Sequence, residues 1–296
     1  MTKNLQNDAE SNSQNRLEEL KNKITPKNDI VFKRIFGMKG NEAILKDFLE
    51  AILNLKIDAL TLDLNTELLP EFYNGKSSMV DVRARLSDGT EVNVEIQVDV
   101  TKYSERRCMY YWSKLYANNS KKGNDYEKLN KVICIWILED KVYDEFEDFI
   151  SKWKMFNEEH GVGGHFGDIE FRIIELKKYR ESATIKKNVR DFWLAFIDHK
   201  NEEMVKMACV TNEQIKKARE ELDKIRANKA LMNEILAKEL AENDYASAMA
   251  RAERKGKLEN KKEIAKNLLK INMSIEQIAE VTGLSRDEIL KLKEEE

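Results

Sequence analysis

The sequence predicts an α/β fold: a mixed central sheet flanked by helices, followed by an all-helical C-terminal extension. Three observations predict it. Period-two strand patterns and one unbroken apolar run fall between residues 57 and 176, amphipathic helical patterns flank them, and beyond about residue 210 no strand pattern survives.

In chain order, residues 1–23 are rich in Asn, Gln, Ser and Glu with scattered Leu, the composition of a disordered leader. Thr25-Pro26 reads as an N-cap with Pro at N1, opening a short helix that carries Asp29, Phe32, Lys33 and Phe36 and stops at Gly37. Asn41 opens a second helix, whose apolar stripe is Ile44, Leu45, Phe48, Leu49, Ile52 and Leu53. Leu60, Leu62 and Leu64 then alternate with polar residues, and two stronger strands follow, MVDVRARL (79–86) and TEVNVEIQVDV (90–100). A helix of aromatic and basic character spans Ser104–Asn118. The run Val132–Leu138 suits a strand covered on both faces, FRIIEL (171–176) is a further strand, and Phe192–Ile197 is an apolar helix. A boundary near 205 separates an α/β domain, 24–205, from a helical region, 206–296.

Composition narrows the function classes. At 35% charged and 42% hydrophobic, with 2 Pro and 11 Gly, the 296 residues suit a soluble, helix-rich protein of one or two domains. No apolar run reaches the ~18 residues of a membrane span and the amino terminus lacks a signal-peptide core, which suggests the cytosol. Cys108, Cys134 and Cys209 are odd in number and widely spaced, so they form neither a disulfide framework nor a CxxC metal knuckle. The formal charge of −3, from 51 basic and 54 acidic residues, means that nucleic-acid contact has to rest on local clusters.

The register of the hairpin around Ser87-Asp88-Gly89 decides which side chains share a face. A two-residue Asp-Gly loop sets Arg83 opposite Val94 and Asp81 opposite Ile96, mixing polar and apolar residues on both faces. A three-residue loop with Gly89 left-handed pairs Val80 with Ile96, Val82 with Val94 and Ala84 with Val92 on one face. On the other face it sets Asp81 opposite Glu95, Arg83 opposite Asn93, and Arg85 opposite Glu91 as an ion pair.

Opposed carboxylates, with Cβ atoms about 4.5–5.5 Å apart, repel unless a cation lies between them. A divalent ion with a preference for oxygen ligands, Mg²⁺ or Mn²⁺, is one partner that relieves them. Gln97 and Asp99 continue the same face of the strand. The alternative is a solvated face on which Arg83 or a neighbouring cation relieves the repulsion.

Asp81, followed after thirteen residues by Glu95-Ile96-Gln97, resembles the D…(D/E)xK core of the PD-(D/E)XK nuclease superfamily, in the ExQ form of the Rpn family of recombination-promoting nucleases and transposases. The opening ITPKNDIVFKRIFG, the leucine-rich helix after it and the stretch from Arg107 to Leu129 resemble that family too, over roughly residues 24–180. The resemblance implies a sheet that presents the acidic hairpin to DNA, with a metal held by Asp81, Glu95 and the backbone carbonyl of Ile96. Asp29 corresponds to the superfamily's additional acid, and Asp81, Glu95, Gln97 and Asp29 form the expected catalytic set. The implied activity is Mg²⁺- or Mn²⁺-dependent endonucleolytic cleavage of DNA in recombination, mobile-element biology or phage defence. Gln97 stands where most of the superfamily has Lys, and it orients water without supplying charge. Lys102, Arg106, Arg107 and Lys114 are candidate DNA contacts, the first three also candidates for the missing cation.

Other signals weigh less. His160 and His165 flank GVGGHFG, which lacks both a phosphate-loop context and a third metal ligand and reads as a loop. Residues 275–292 resemble a helix-turn-helix with Ser274 and Ser285 as caps and Gly283 in the turn, but the second helix opens Arg286-Asp287-Glu288, a poor phosphate surface. This segment suits helical packing or protein contact, and the preceding Ala-, Lys- and Glu-rich helices are a candidate homodimer surface. Two further functional readings stand beside the endonuclease: a nuclease-fold protein of weak or lost activity that binds DNA or a partner, and a helix-turn-helix regulator.

Overall fold

The computed structural model describes residues 21–63, 67–68, 78–79, 82–97, 104–118, 126, 129–164 and 166–294. In chain order the strands are β1 (Leu60–Leu62), β2 (Glu67–Leu68), β3 (Ser78–Met79), β4 (Val82–Leu86), β5 (Glu91–Gln97), β6 (Val132–Leu138), β7 (Ile150–Trp153), β8 (Phe156–Asn157), β9 (Val162–Gly163) and β10 (Ile169–Glu175). The helices are α1 (Asp29–Phe36), α2 (Glu42–Leu53), α3 (Ser104–Asn118), α4 (Leu176–Glu181), α5 (Val189–Asp198), α6 (Glu202–Thr211), α7 (Glu213–Ala227), α8 (Lys229–Lys270), α9 (Ile275–Thr282) and α10 (Arg286–Glu294).

Six strands form a mixed sheet in the order β1-β4-β5-β6-β10-β7. The pairs β1–β4, β4–β5 and β10–β7 are antiparallel, whereas β5, β6 and β10 are parallel. A parallel pair needs a crossover, and α3 supplies it between β5 and β6. The unbroken apolar run of β6 follows from its central place, buried along its whole length.

The β4–β5 hairpin adopts the three-residue loop. Val82 pairs with Val94, Arg83 with Asn93, Ala84 with Val92 and Arg85 with Glu91. Gly89 has φ +88°, its N–H donates to the Leu86 carbonyl, and Thr90 N–H donates to Asp88 Oδ1 at 2.9 Å. Val80 and Asp81, which the expected ladder also includes, lie outside the described residues, as do Leu64, Asp99, Lys102 and His165.

Helices α1 and α2 pack on the β1 and β4 side, with the Phe36 ring 5.2 Å from Phe48 and 5.6 Å from Trp193 of α5. Asp47 of α2 accepts hydrogen bonds from the Trp193 indole at 2.7 Å and from Asn212 Nδ2 at 2.9 Å, which satisfies a buried donor and ties α2 to the cap of α7. The chain divides into two compact units between Met232 and Asn233, beyond the boundary expected near 205. The reason is that α6 and α7 bury Val205, Ala208, Ile215, Ala218, Leu222 and Ile225, and α7 packs against α1, α2 and α5.

The second unit has its own small core of Ala265, Ile278, Leu284, Ile289 and Leu292. Ser274 forms a reciprocal capping box with Gln277, Gly283 closes α9 at φ +64°, and Ser285 Oγ accepts from Glu288 N–H. Leu240, Tyr245, Met249 and Leu258 along α8 are exposed. Among the described residues no helix is long and apolar enough to cross a membrane.

Three local readings change. Asn28, not Thr25, caps α1: its Oδ1 accepts from Ile30 and Val31 N–H, while Thr25 and Pro26 sit in the turn before it. Asn41 is the N-cap of α2 as expected, its carbonyl accepting from Leu45 N–H, but its side chain makes no cap hydrogen bond there and instead turns Nδ2 to the carbonyls of Arg34 and Ile35 at the end of α1. β7 is a four-residue, half-exposed edge strand with no alternation to announce it, and the start of the GVGGHFG segment expected as a loop, Val162–Gly163, pairs with Phe156–Asn157 in the short, exposed β8–β9 hairpin.

His199 links the fold to pH. It ends α5 in the left-handed region at φ 55°, its Nε2 accepts from Arg226 Nη2 at 2.9 Å, and Arg226 also donates to the Ile24 carbonyl. Burial, reinforced by Arg226, lowers its pKa from 6.5 to about 4. The folded state therefore holds the ring neutral while the unfolded chain protonates first. Its contribution is complete above about pH 6.5 and declines as pH falls toward about 4. Thermal melts across that window should show wild-type stability falling more steeply than that of His199→Asn, which keeps a residue tolerant of positive φ; parallel curves would remove His199 from the account.

Candidate active site

Strand parity places Glu91, Asn93, Glu95 and Gln97 on the sheet face that also carries Val132, Cys134, Trp136 and Leu138 of β6. Helix α3 covers this face with Cys108, Tyr111 and Leu115, which join the β6 side chains and Ile173 in one apolar cluster. A row of polar side chains thus runs along the border of a sealed core. Glu91, Asn93 and Glu95 are each at most 1% exposed.

A buried carboxylate is costly unless partnered. Glu91 is matched from two sides, by Arg83 and Arg85, both at 2.6 Å. Arg83 reaches Asp63 as well, at 3.2 Å. This bears on the alternative in which Arg83 neutralises the acidic pair: its guanidinium is engaged with Glu91 and Asp63.

Glu95 lies in a different setting. Asn93 Nδ2 donates to its Oε1 at 3.4 Å, a long contact, and the Cys108 and Cys134 thiols adjoin it. Burial, with the Glu95 charge as a further cause, raises both thiols far above the ordinary cysteine range, so they remain protonated packing groups. Trp136, the β6 register partner of Glu95, has a buried indole N–H without a hydrogen-bond partner among the described residues, and Asn93 Oδ1 is likewise unpartnered. A buried carboxylate beside an unpartnered amide oxygen is an oxygen-donor set that fits a hard divalent cation or its water. Among the described residues no group of three or more His, Cys, Asp and Glu side chains could hold a metal by itself. Asp81, the expected second carboxylate, lies outside them.

Gln97 ends β5, and its carbonyl accepts from Glu139 N–H on the β6 side. Because successive strand carbonyls alternate between neighbours, that of Ile96 is directed to the β4 side. Gln97 Oε1 accepts from Arg107 Nη1 at 3.2 Å, so the last polar side chain of the row meets a cation from α3. Arg107 is held further by its Nε–H to the Tyr111 hydroxyl at 3.1 Å. Asp29 opens α1, where its Oδ1 accepts from Ile30 N–H. Lys27, two residues earlier, bonds Glu139 at 2.9 Å, which brings the start of α1 to the end of β5 and β6. Arg106 is exposed on α3, and Lys114 lies 5.7 Å from the Tyr110 ring on the same stripe two turns on. Lys102, the remaining basic candidate, lies outside the described residues.

The structure brings together Glu95 with Asn93 and Gln97 with Arg107. Asn93 is the site residue the sequence reading passed over. Its signal was the polar parity of the whole row Glu91, Asn93, Glu95 and Gln97 on a strand whose other parity is apolar.

A family model described as PD-(D/E)XK nuclease family transposase matches residues 26–252. The chain belongs to this family. The match runs past the roughly 24–180 of the sequence resemblance, through α7 and into α8, and the mixed six-stranded sheet with flanking helices fits the PD-(D/E)XK nuclease fold. No curated protein and no solved structure matches the chain. Membership of a PD-(D/E)XK family points to nuclease activity in general.

The hairpin that carries this site depends on Gly89. A Cβ there would meet Asn130 Oδ1 at 2.7 Å, and φ +88° strains any L side chain. Gly89→Ala should lower stability by about 1–2 kcal/mol in urea unfolding; an unchanged midpoint would show that the loop adapts without cost.

Proposed function

We propose that this protein is a Mg²⁺- or Mn²⁺-dependent DNA endonuclease acting in the cytosol, with Asp81 and Glu95 as metal ligands aided by the Ile96 carbonyl. The observation that carries this reading is the Val82–Val94 pairing. Asp81 precedes Val82 and Glu95 follows Val94 in the sequence, so the register read from the sequence, which the Val82–Val94 pair obeys, would set the two carboxylates opposite each other if it held for one more step. The buried Glu95 carboxylate beside the unpartnered Asn93 Oδ1 and the engagement of Arg83 elsewhere support a divalent cation as their partner.

A bound divalent ion lowers the pKa of water and offsets charge on the attacked phosphate. The chain's own side chains do the rest. Glu95, in place on a central strand, fixes one side of the site, and Asp29 at the head of α1 adds an acid near the strand end. Gln97 orients water or a phosphate oxygen. Water oxygen bonds to phosphorus, the phosphorus–oxygen bond to the leaving sugar oxygen breaks, and the proton lost by water ends on that leaving oxygen. Arg106, Arg107 and Lys114 on α3, with Lys102 before it, are the proposed contacts to the DNA backbone. A role in recombination, mobile-element movement or phage defence accords with the family's description.

A nuclease-fold binding module is the reading that Gln97 in place of Lys favours. Plasmid cleavage separates the two. Wild-type protein should cut supercoiled plasmid with Mg²⁺ or Mn²⁺ and not with EDTA, and Asp81→Ala and Glu95→Ala should each lower the rate by at least about 10²-fold. Melting temperatures should hold or rise, because each change removes like-charge repulsion. Metal-dependent DNA binding without cleavage would establish the binding module instead, and undiminished cleavage by a folded Asp81→Ala protein would assign the activity elsewhere.

A further inference from the structure

We propose that Arg107 supplies the positive charge at the reacting phosphate that Gln97 cannot, the two side chains together standing in for one lysine. This rests on the nuclease reading above. A glutamine at this position provides hydrogen bonds but no charge, and charge is what stabilises hydroxide and the crowded phosphorus of the transition state. The missing charge is one hydrogen bond away, in the guanidinium whose Nη1 meets Gln97 Oε1 at 3.2 Å.

Arg107 is placed rather than loosely exposed. Its Nε–H is held by the Tyr111 hydroxyl at 3.1 Å and its guanidinium lies 5.3 Å from that ring. Tyr111 is itself buried, with its ring 6.3 Å from Trp136, the register partner of Glu95. Two of the three guanidinium nitrogens are therefore fixed on groups anchored to the site's own strands, and Arg107 is still open to solvent and to a phosphate.

The pairing also decides how Gln97 faces. A guanidinium has only donors, so the glutamine must turn its oxygen to Arg107, and its NH₂ points the other way. Gln97 then presents a donor where a lysine would present its ammonium, with the full charge directly behind. Arg106 and Lys114 share a different stripe of α3 with Tyr110, suited to gripping backbone farther along. Arg107 alone of these is hydrogen-bonded to the β5 row among the described residues.

The test uses full-length wild type, Arg107→Ala, Arg107→Lys, Gln97→Lys and the Gln97→Lys/Arg107→Ala double variant, with Glu95→Ala as background. Single-turnover plasmid cleavage is read at saturating protein, DNA affinity in EDTA by fluorescence anisotropy, and folding by thermal melts. Arg107→Ala should lose about 10²-fold in rate while its affinity for DNA falls less than about tenfold. Gln97→Lys should return the Arg107→Ala protein to within about tenfold of wild type, because it restores the charge from the strand. A backbone-gripping Arg107 would instead show its loss in affinity and in a salt slope reduced by about 1, with a wild-type rate at saturation, and that would overturn the proposal. So would a well-folded Arg107→Ala protein that is slow and gains nothing from Gln97→Lys. If Arg107→Ala melts early, Arg107→Lys takes its place: partial activity supports the charge role, and a rate equal to background overturns it. Wild type no faster than Glu95→Ala would overturn the nuclease reading and this proposal with it, a result distinct from active wild type with an indifferent Arg107.

Discussion

The constraint on which the rest depends is the register of the β4–β5 hairpin. Side chains on a strand alternate between faces, so a slip of one residue would carry Glu95 into the apolar layer and Val94 into the polar row. The three-residue loop prevents this, with Gly89 at φ +88° and Leu86 taking the Gly89 N–H. The ion pairs of Glu91 with Arg83 and Arg85 reinforce the same alignment from the polar face. Buried pairs of this kind contribute more to choosing one arrangement than to net stability, because desolvation offsets much of the attraction.

Helix α3 turns this register into a site. One stripe of it, Cys108, Tyr111 and Leu115, seals the face over β6 and keeps water from the flank of Glu95. Low local polarity raises the cost of burying a charge, so the geometry that buries Glu95 is the reason its carboxylate is a candidate cation ligand. The next stripe turns outward and carries Arg106, Tyr110 and Lys114, with charge and aromatic surface where a nucleic-acid strand can reach them. Packing on one side and an exposed basic and aromatic stripe on the other thus come from a single amphipathic helix. Arg107 sits at the seam, bonded to the sheet by Gln97 and to its own helix by Tyr111.

Much of this was legible in the residues because the decisive patterns are local. The alternation of Val82, Ala84, Val92 and Val94 selects one loop length, and Ser104–Asn118 has a helical stripe whose ends the structure reproduces. The short edge strand β7 has two exposed residues of four and no period to detect. The compact unit runs on to Met232 where composition suggests a boundary near 205, because α6 and α7 resemble in composition the helices after them and only their packing on α1, α2 and α5 joins them to the first unit. Asn93 and the Gln97–Arg107 pair depend on tertiary contact, which a sequence pattern can suggest through parity and charge but cannot measure. The relation of Asp81 to Glu95 stays a proposal carried by register.

Direct observation of the cation tests the central claim most plainly. Mn²⁺ titration of the full-length protein, followed by electron paramagnetic resonance, should show a bound ion that is lost in both Asp81→Asn and Glu95→Gln, each of which removes charge while keeping shape. Retention of the same bound Mn²⁺ in either folded variant would contradict the account.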